Sequence, residues 1–133
     1  MRTMKFRVWD EETSKMYAGN NVIVTFSGEL EEVYVRRNNM VDELIDYKLM
    51  QSTGMKDTKV NEIYEGDLVV CRKDDIKKIG KVMYGLYDER LQLDLGFYIK
   101  WFNADGIRND LGFWINRGIK VIGNIYENPE LLG

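Results

Sequence analysis

Apolar residues in this chain come in short runs that alternate with polar neighbours, and glycine or a polar pair interrupts them every few positions. The longest aliphatic stretches, Val22-Ile23-Val24 and Leu68-Val69-Val70-Cys71, hold three and four residues. That pattern excludes a membrane-spanning helix, which needs about 20 consecutive apolar residues, and it predicts short half-buried strands joined by tight turns. With 44% apolar residues over 133 positions the chain has material for a core and can fold without disulfides or a structural metal.

Phe6 and Val8 alternate with Lys5, Arg7 and Trp9, which predicts a first strand. Asp10 to Ser14 reads as a polar turn, Lys15 to Tyr17 as the returning strand, and Val22 to Phe26 and Val33 to Val35 as the next strands of an antiparallel meander. Val41, Leu44, Ile45 and Leu49 fall at i, i+3, i+4 and i+8 behind Asn39, which predicts a helix over 40–49; a strand from Tyr47 to Thr53 is the competing reading. Farther along, apolar runs recur at Ile63-Tyr64, Leu68 to Cys71, Val82 to Tyr84, Leu91 to Leu95, Phe97 to Phe102, Phe113 to Ile115 and Ile119 to Tyr126. Gly85, Gly96, Gly112, Gly118 and Gly123 separate them, and Asp105-Gly106 is a favoured hairpin signal. The expected fold is mostly β with little helix: one compact domain over 1–133, in which an N-terminal meander (1–35) packs on a small SH3-like C-terminal barrel (49–133).

Histidine is absent and Cys71 is the only cysteine. Ser-His-Asp and Cys-His catalysis, histidine-ligated metals, Cys/His zinc sites and an intramolecular disulfide are thereby excluded, and no metal or other cofactor is expected. Cys71 reads as a small buried hydrophobe in a strand. The formal charge of −3 and a pI near 5.1 give no global basic field toward nucleic acid or anionic lipid. The segment Met1 to Arg7 has no continuous apolar stretch and runs into Asp10-Glu11-Glu12, unlike a signal peptide, so a cytoplasmic protein without membrane attachment is expected.

Three segments resemble the YopX family of phage and prophage proteins. Lys5-Phe6-Arg7-Val8-Trp9-Asp10, followed by Met16-Tyr17, is similar to that family's opening K-F-R-A-W-D … K-M-Y. Leu49 to Asp57, continuing through Glu62-Ile63-Tyr64-Glu65-Gly66-Asp67-Leu68-Val69, resembles its central Q-Y-T-G-L-K-D-K-N-G-K-E-I-Y-E-G-D-I-V. Val121 to Leu132 is similar to its closing segment. Two positions depart from the pattern. Ser52 replaces an aromatic, and Val60 stands where the family has glycine, so the turn is expected to move by one residue to Asn61. The resemblance implies a phage or prophage origin and a mostly β fold, and it carries no mechanism.

Glu65 and Asp67 flank Gly66, and paired carboxylates can serve proton transfer or a hard cation, but a structural turn between two strands explains them more simply. Arg72, Lys73, Lys77, Lys78 and Lys81 form a basic segment followed by Tyr84 and Tyr87. It reads first as a solvated loop; the alternative is a single-stranded nucleic-acid site in which the tyrosines stack on bases. Trp9, Trp101, Trp114, Phe97, Phe102, Phe113 and Tyr126 read as core. Leu131 and Leu132, after Pro129, either cover their own sheet or contact a second copy in a homo-oligomer. The expected function is a non-enzymatic protein-interaction module from a phage or prophage, acting through a protein partner or itself.

Overall fold

A computed structural model describes residues 5–73, 76–89, 92–102 and 107–132, with the side chains of Lys73, Ile76 and Glu89 left aside. The chain divides into two compact units, Met1–Gln51 and Ser52–Gly133. Both are built from antiparallel strands, so the mostly β fold is as expected, while the first unit runs well beyond the end of the meander read at Val35.

In the first unit, β1 (Phe6–Asp10) pairs with β2 (Lys15–Ala18) on one side and with the first half of β6 (Tyr47–Lys56) on the other. β3 (Val22–Ser27), β4 (Leu30–Arg37) and β5 (Met40–Leu44) form a three-stranded meander. The core consists of Val8, Val33, Val35 and Leu44, with Tyr17, Val22, Val24, Tyr47 and Leu49 packed around it. Each fully buried aliphatic side chain there contributes about 1.5–3 kcal/mol of transfer free energy. Asp10 ends β1 and organises the turn: its carboxylate accepts from the Glu12 amide at 3.1 Å, the Thr13 hydroxyl at 2.6 Å and Arg37 Nη1 at 3.3 Å.

The helix expected over 40–49 is replaced by β5 and the start of β6. Asn38 and Asn39 both take left-handed backbone angles (φ 52° and 61°), which make the two-residue turn of a β4–β5 hairpin instead of capping a helix. The helical spacing dissolves accordingly. Leu44 and Leu49 enter the core, whereas Ile45 sits in the next turn, 85% exposed.

In the second unit, β7 (Glu62–Tyr64) pairs with the second half of β6. β8 (Asp67–Lys73), β9 (Ile76–Glu89), β10 (Gln92–Trp101) and β11 (Lys120–Asn124) form a sheet in the order β10-β9-β8-β11. The SH3-like closure finds no pairing between β10 and β11 among the described residues. Ile63, Val69, Cys71, Val82, Ile99, Trp101, Leu111, Trp114 and Ile119 form the core. Phe97 and Phe113 pack against it, so the aromatic residues of this half are largely structural and Cys71 is the buried hydrophobe expected.

Two local readings are corrected here. Phe113 to Ile115 belongs to a short helix, α1 (Leu111–Ile115), because Leu111 and Trp114, three apart, bury together on one side of it and Trp114 Nε1 donates to the Arg108 carbonyl at 2.7 Å. The apolar runs on either side of Gly96 are one strand, β10, and β9 continues through Gly85 to Glu89 instead of breaking there. Gly80, inside β9, is a site of close approach: a Cβ there would lie 2.4 Å from Ile99 Cγ2 and 2.9 Å from Trp101 Cε3. The hairpin signal Asp105-Gly106 lies outside the described residues.

Candidate functional site

Of the two carboxylates offered by the sequence, Asp67 is occupied as a structural acceptor. Gly66 has φ 85° in the bend between β7 and β8, as its position implied, and its amide donates to the Val82 carbonyl at 2.8 Å. Asp67 is 1% exposed and its Oδ2 accepts the Tyr64 amide at 2.8 Å. Glu65 and Gly66 therefore form the turn, and Asp67 opens β8.

Asp57 is the main hub of the second unit. Its Oδ1 accepts the amides of Lys59 (2.9 Å) and Asn61 (2.8 Å), and its Oδ2 accepts the Val121 amide (2.8 Å), tying the 57–61 turn to β11. Burial alone would push this carboxyl up, but the hydrogen bonds from Val121, Asn61 and Lys59 outweigh it and hold the group below the ordinary carboxylate range. Within this turn Val60 itself carries the positive φ of 64°, so the turn stays in the family's register and does not move to Asn61. Ser52, in place of the aromatic, is buried and accepts the Gly54 amide at 3.1 Å.

The basic residues lie on the paired strands β8 and β9 and not in a loop; Asp74 and Asp75 lie outside the described residues. Strand alternation then divides the seven candidate residues. Arg72 stands directly opposite Lys77, and Lys81 and Tyr87 follow on the same face of β9, while Lys78 and Tyr84 project from the other. Tyr84 is exposed and packs edge-on against Phe97, whereas Tyr87 stacks on Tyr98 at 5.1 Å. The backbone of Lys73 continues β8. The other six residues thus do not converge on one stacking platform.

Instead, Arg72 and Lys77 meet two cations that the sequence reading passed over. A cleft of about 420 Å³ is lined by Arg72, Lys77, Arg117 and Lys120, together with Thr58, Gly118, Val70, Cys71 and Ile122. Lys120 faces Val70 across the β8–β11 ladder, one pleat from Arg72. Arg117 leaves α1 and lies 3.6 Å over the Phe113 ring, its Nη1 donating to the Phe113 carbonyl at 3.3 Å. Only the register could have revealed this grouping, since Arg117 and Lys120 lie far from Arg72 in sequence.

A second exposed feature is apolar. Along the β9–β10 hairpin, Tyr84 is paired with Phe97 and Leu86 with Leu95, and Leu93 follows on the same face. Leu86, Leu93 and Leu95 are 63%, 61% and 65% exposed. At the C-terminus a 3-10 turn, Pro129–Leu132, leaves Leu131 half-buried and Leu132 exposed.

The family model for "YopX protein" matches residues 5–133. The chain belongs to the YopX family. Its fold is similar to the crystal structure of protein EF1440 from Enterococcus faecalis, with a TM-score of 0.61 and 25% identity over 98% of this chain and 99% of that one. No match was found among curated proteins. The segments resembling the YopX pattern fall on β1 and β2, on β6 to β8 and on β11 with the closing turn, and they contain Asp10, Asp57, Gly66 and Asp67. In this YopX chain no helix among the described residues is long and apolar enough to cross a membrane.

Proposed function

We propose that this YopX protein is a non-enzymatic protein-interaction module of phage or prophage origin, acting in the bacterial cytoplasm, and that it binds through the β9–β10 hairpin. The observation that carries the reading is the row of exposed Tyr84, Leu86, Leu93 and Leu95 on one face of that hairpin. Its outer strand, β10, pairs with β9 on one edge, and its other edge has no strand partner from Gln92 to Phe97 among the described residues; the bridge from Tyr98 to Asp110 begins beyond it. Free backbone donors and acceptors beside an apolar row suit an added strand with apolar side chains at alternate positions. A second copy presenting its own β10 meets that description, as does a strand from another protein.

The use of Asp10, Asp57 and Asp67 as hydrogen-bond acceptors favours a non-enzymatic role over proton transfer by these groups. The test is Leu86→Glu combined with Leu95→Glu. Sedimentation of the wild-type protein should show self-association, or pull-down from infected cells should give one stoichiometric partner, and the double variant should lose it while melting with wild type. Turnover of a nucleotide or glycosidic substrate that is lost in Glu65→Ala or Asp67→Ala, with the fold retained, would overturn the reading.

A further inference from the structure

The cleft between the ends of β8, β9 and β11 gathers charge in a way that costs stability. Arg72 and Lys77 are direct cross-strand partners, an arrangement of like charges that disfavours the ladder, and Lys120 adds a third cation on the neighbouring strand. None of Arg72, Lys77, Arg117 and Lys120 forms an ion pair with a carboxylate among the described residues. Other arginines of the same chain do pair. Arg37 reaches Asp42 at 2.7 Å and Asp10 at 3.3 Å, and Arg108 reaches Asp110 at 2.9 Å. An acidic chain with carboxylates to spare thus leaves four cations together around one concavity.

We propose that this cleft binds the phosphate groups of a small phosphorylated ligand. An anion carrying more than one negative charge would offset the repulsion that the strands impose, and Arg and Lys are the side chains that hold phosphate by charge-assisted hydrogen bonds. Thr58 supplies a hydroxyl on the rim, and the turn at Gly118 supplies backbone. Phe113 holds the Arg117 guanidinium by its ring and its carbonyl, so part of the site is pre-positioned. A volume near 420 Å³ falls within the range of about 300–1,000 Å³ usual for small-ligand pockets. A nucleic-acid strand would need this charge to continue as a stripe with bases stacking on aromatics, but Tyr84 projects from the opposite face of β9 and the Tyr87 ring is taken by Tyr98.

The experiment is calorimetric titration of the full chain, at low salt and without divalent cation, with inorganic phosphate, pyrophosphate, ATP and a single-stranded dT12. Pyrophosphate or ATP should bind at one site per chain. Lys77→Glu with Lys120→Glu should weaken binding at least tenfold, and Lys100→Glu, on exposed β10, should leave it unchanged. Without ligand, Lys77→Glu should melt at or above wild type, because it places a carboxylate opposite Arg72; this separates lost binding from lost fold. ATP binding well above pyrophosphate assigns the source as a nucleotide, and equal affinities assign it as the phosphate groups alone; both support the site. Failure of every probe to bind, indifference to the double reversal, or tighter binding of dT12 than of ATP overturns it.

Discussion

Val60 gives a prediction whose sign runs against the usual outcome of core and turn mutagenesis. A β-branched residue at φ 64° is strained, because its Cβ crowds the backbone in the left-handed region at a cost of about 1–2 kcal/mol for an ordinary L-residue. The surroundings impose the conformation: the Val60 amide donates to the Asp57 carbonyl at 3.0 Å, while Asp57 Oδ1 holds the amides on either side, Lys59 and Asn61. The side chain gives little in return, being 70% exposed. Val60→Gly should therefore remove the strain and lose almost no packing. Against this stands the extra freedom glycine gives the unfolded chain, about 0.5–1 kcal/mol. From the middle of each range the net expectation is a stabilisation of about 0.8 kcal/mol, or a melting temperature raised by about 3 °C for a protein of this size. Thermal and urea melts of wild type, Val60→Gly and Val60→Asn check it, with asparagine, the side chain that best tolerates this region, expected in between. A Val60→Gly variant that melts at or below wild type would refute both the strain and the claim that Asp57 imposes it.

Gly66→Val should destabilise by about 1–3 kcal/mol, because φ 85° is closed to a β-branched residue and the bend must keep its Gly66-to-Val82 hydrogen bond; a chemical melt reads it directly. Gly80→Ala should cost about 1–3 kcal/mol, since its methyl would enter the space of the buried Ile99 and Trp101; a melt equal to wild type would show that this part of the core yields freely. Asp57→Asn should cost about 1.5–3 kcal/mol, because an amide keeps the acceptor for Lys59 and Asn61 but turns a donor toward the Val121 amide. Asp57 and Asp10 both have lowered pKa values when folded, so their contribution is present above the unfolded carboxylate range near 3.8 and is lost as pH falls through the folded values. Acid titration of stability should accordingly be shallower in Asp57→Asn than in wild type.

Much of the backbone was legible in the sequence. Alternation located β1, β2 and β3, and Glu65-Gly66-Asp67 marked a bend that Gly66 enters with a positive φ. What failed was periodicity over short windows: Val41, Leu44, Ile45 and Leu49 match a helical face, yet two left-handed asparagines just before them set a hairpin, and local turn chemistry overrode the pattern. Glycine also misled in β9 and β10. Gly85 and Gly96, which read as separators, lie inside continuous strands, and Gly80 is dictated by the approach of Ile99 and Trp101 from the next strand, a tertiary fact that no local signal carries. The cation cleft was half legible for the same reason. Arg72 and Lys77 are close in sequence, whereas Lys120 joins them through β8–β11 pairing and Arg117 through the turn after α1.

The residues that give the chain its family likeness and those that line its cleft are different sets, and the hydrogen bonds explain why. Asp10, Asp57, Gly66 and Asp67 lie in the segments resembling the YopX pattern, and each fixes backbone: a turn after β1, the tether from the 57–61 turn to β11, and the bend from β7 into β8. A carboxylate bonded to two or three amides is specific to one geometry and tolerates little exchange, so such positions make a durable sequence signature without touching a ligand. Arg72, Lys77, Arg117 and Lys120 lie outside those segments, on strand ends and turns that the scaffold holds in register. Their charge can change without disturbing a buried acceptor, since Arg72, Lys77 and Lys120 are exposed. One scaffold can in this way carry clefts of different charge. It follows that exchanging Lys77 and Lys120 for neutral residues should leave the melt unchanged or raise it, since repulsion is relieved, while Asp57→Asn, which touches no cleft cation, should lower it clearly; the reverse ranking would mean that the signature marks the site and the cations hold the fold.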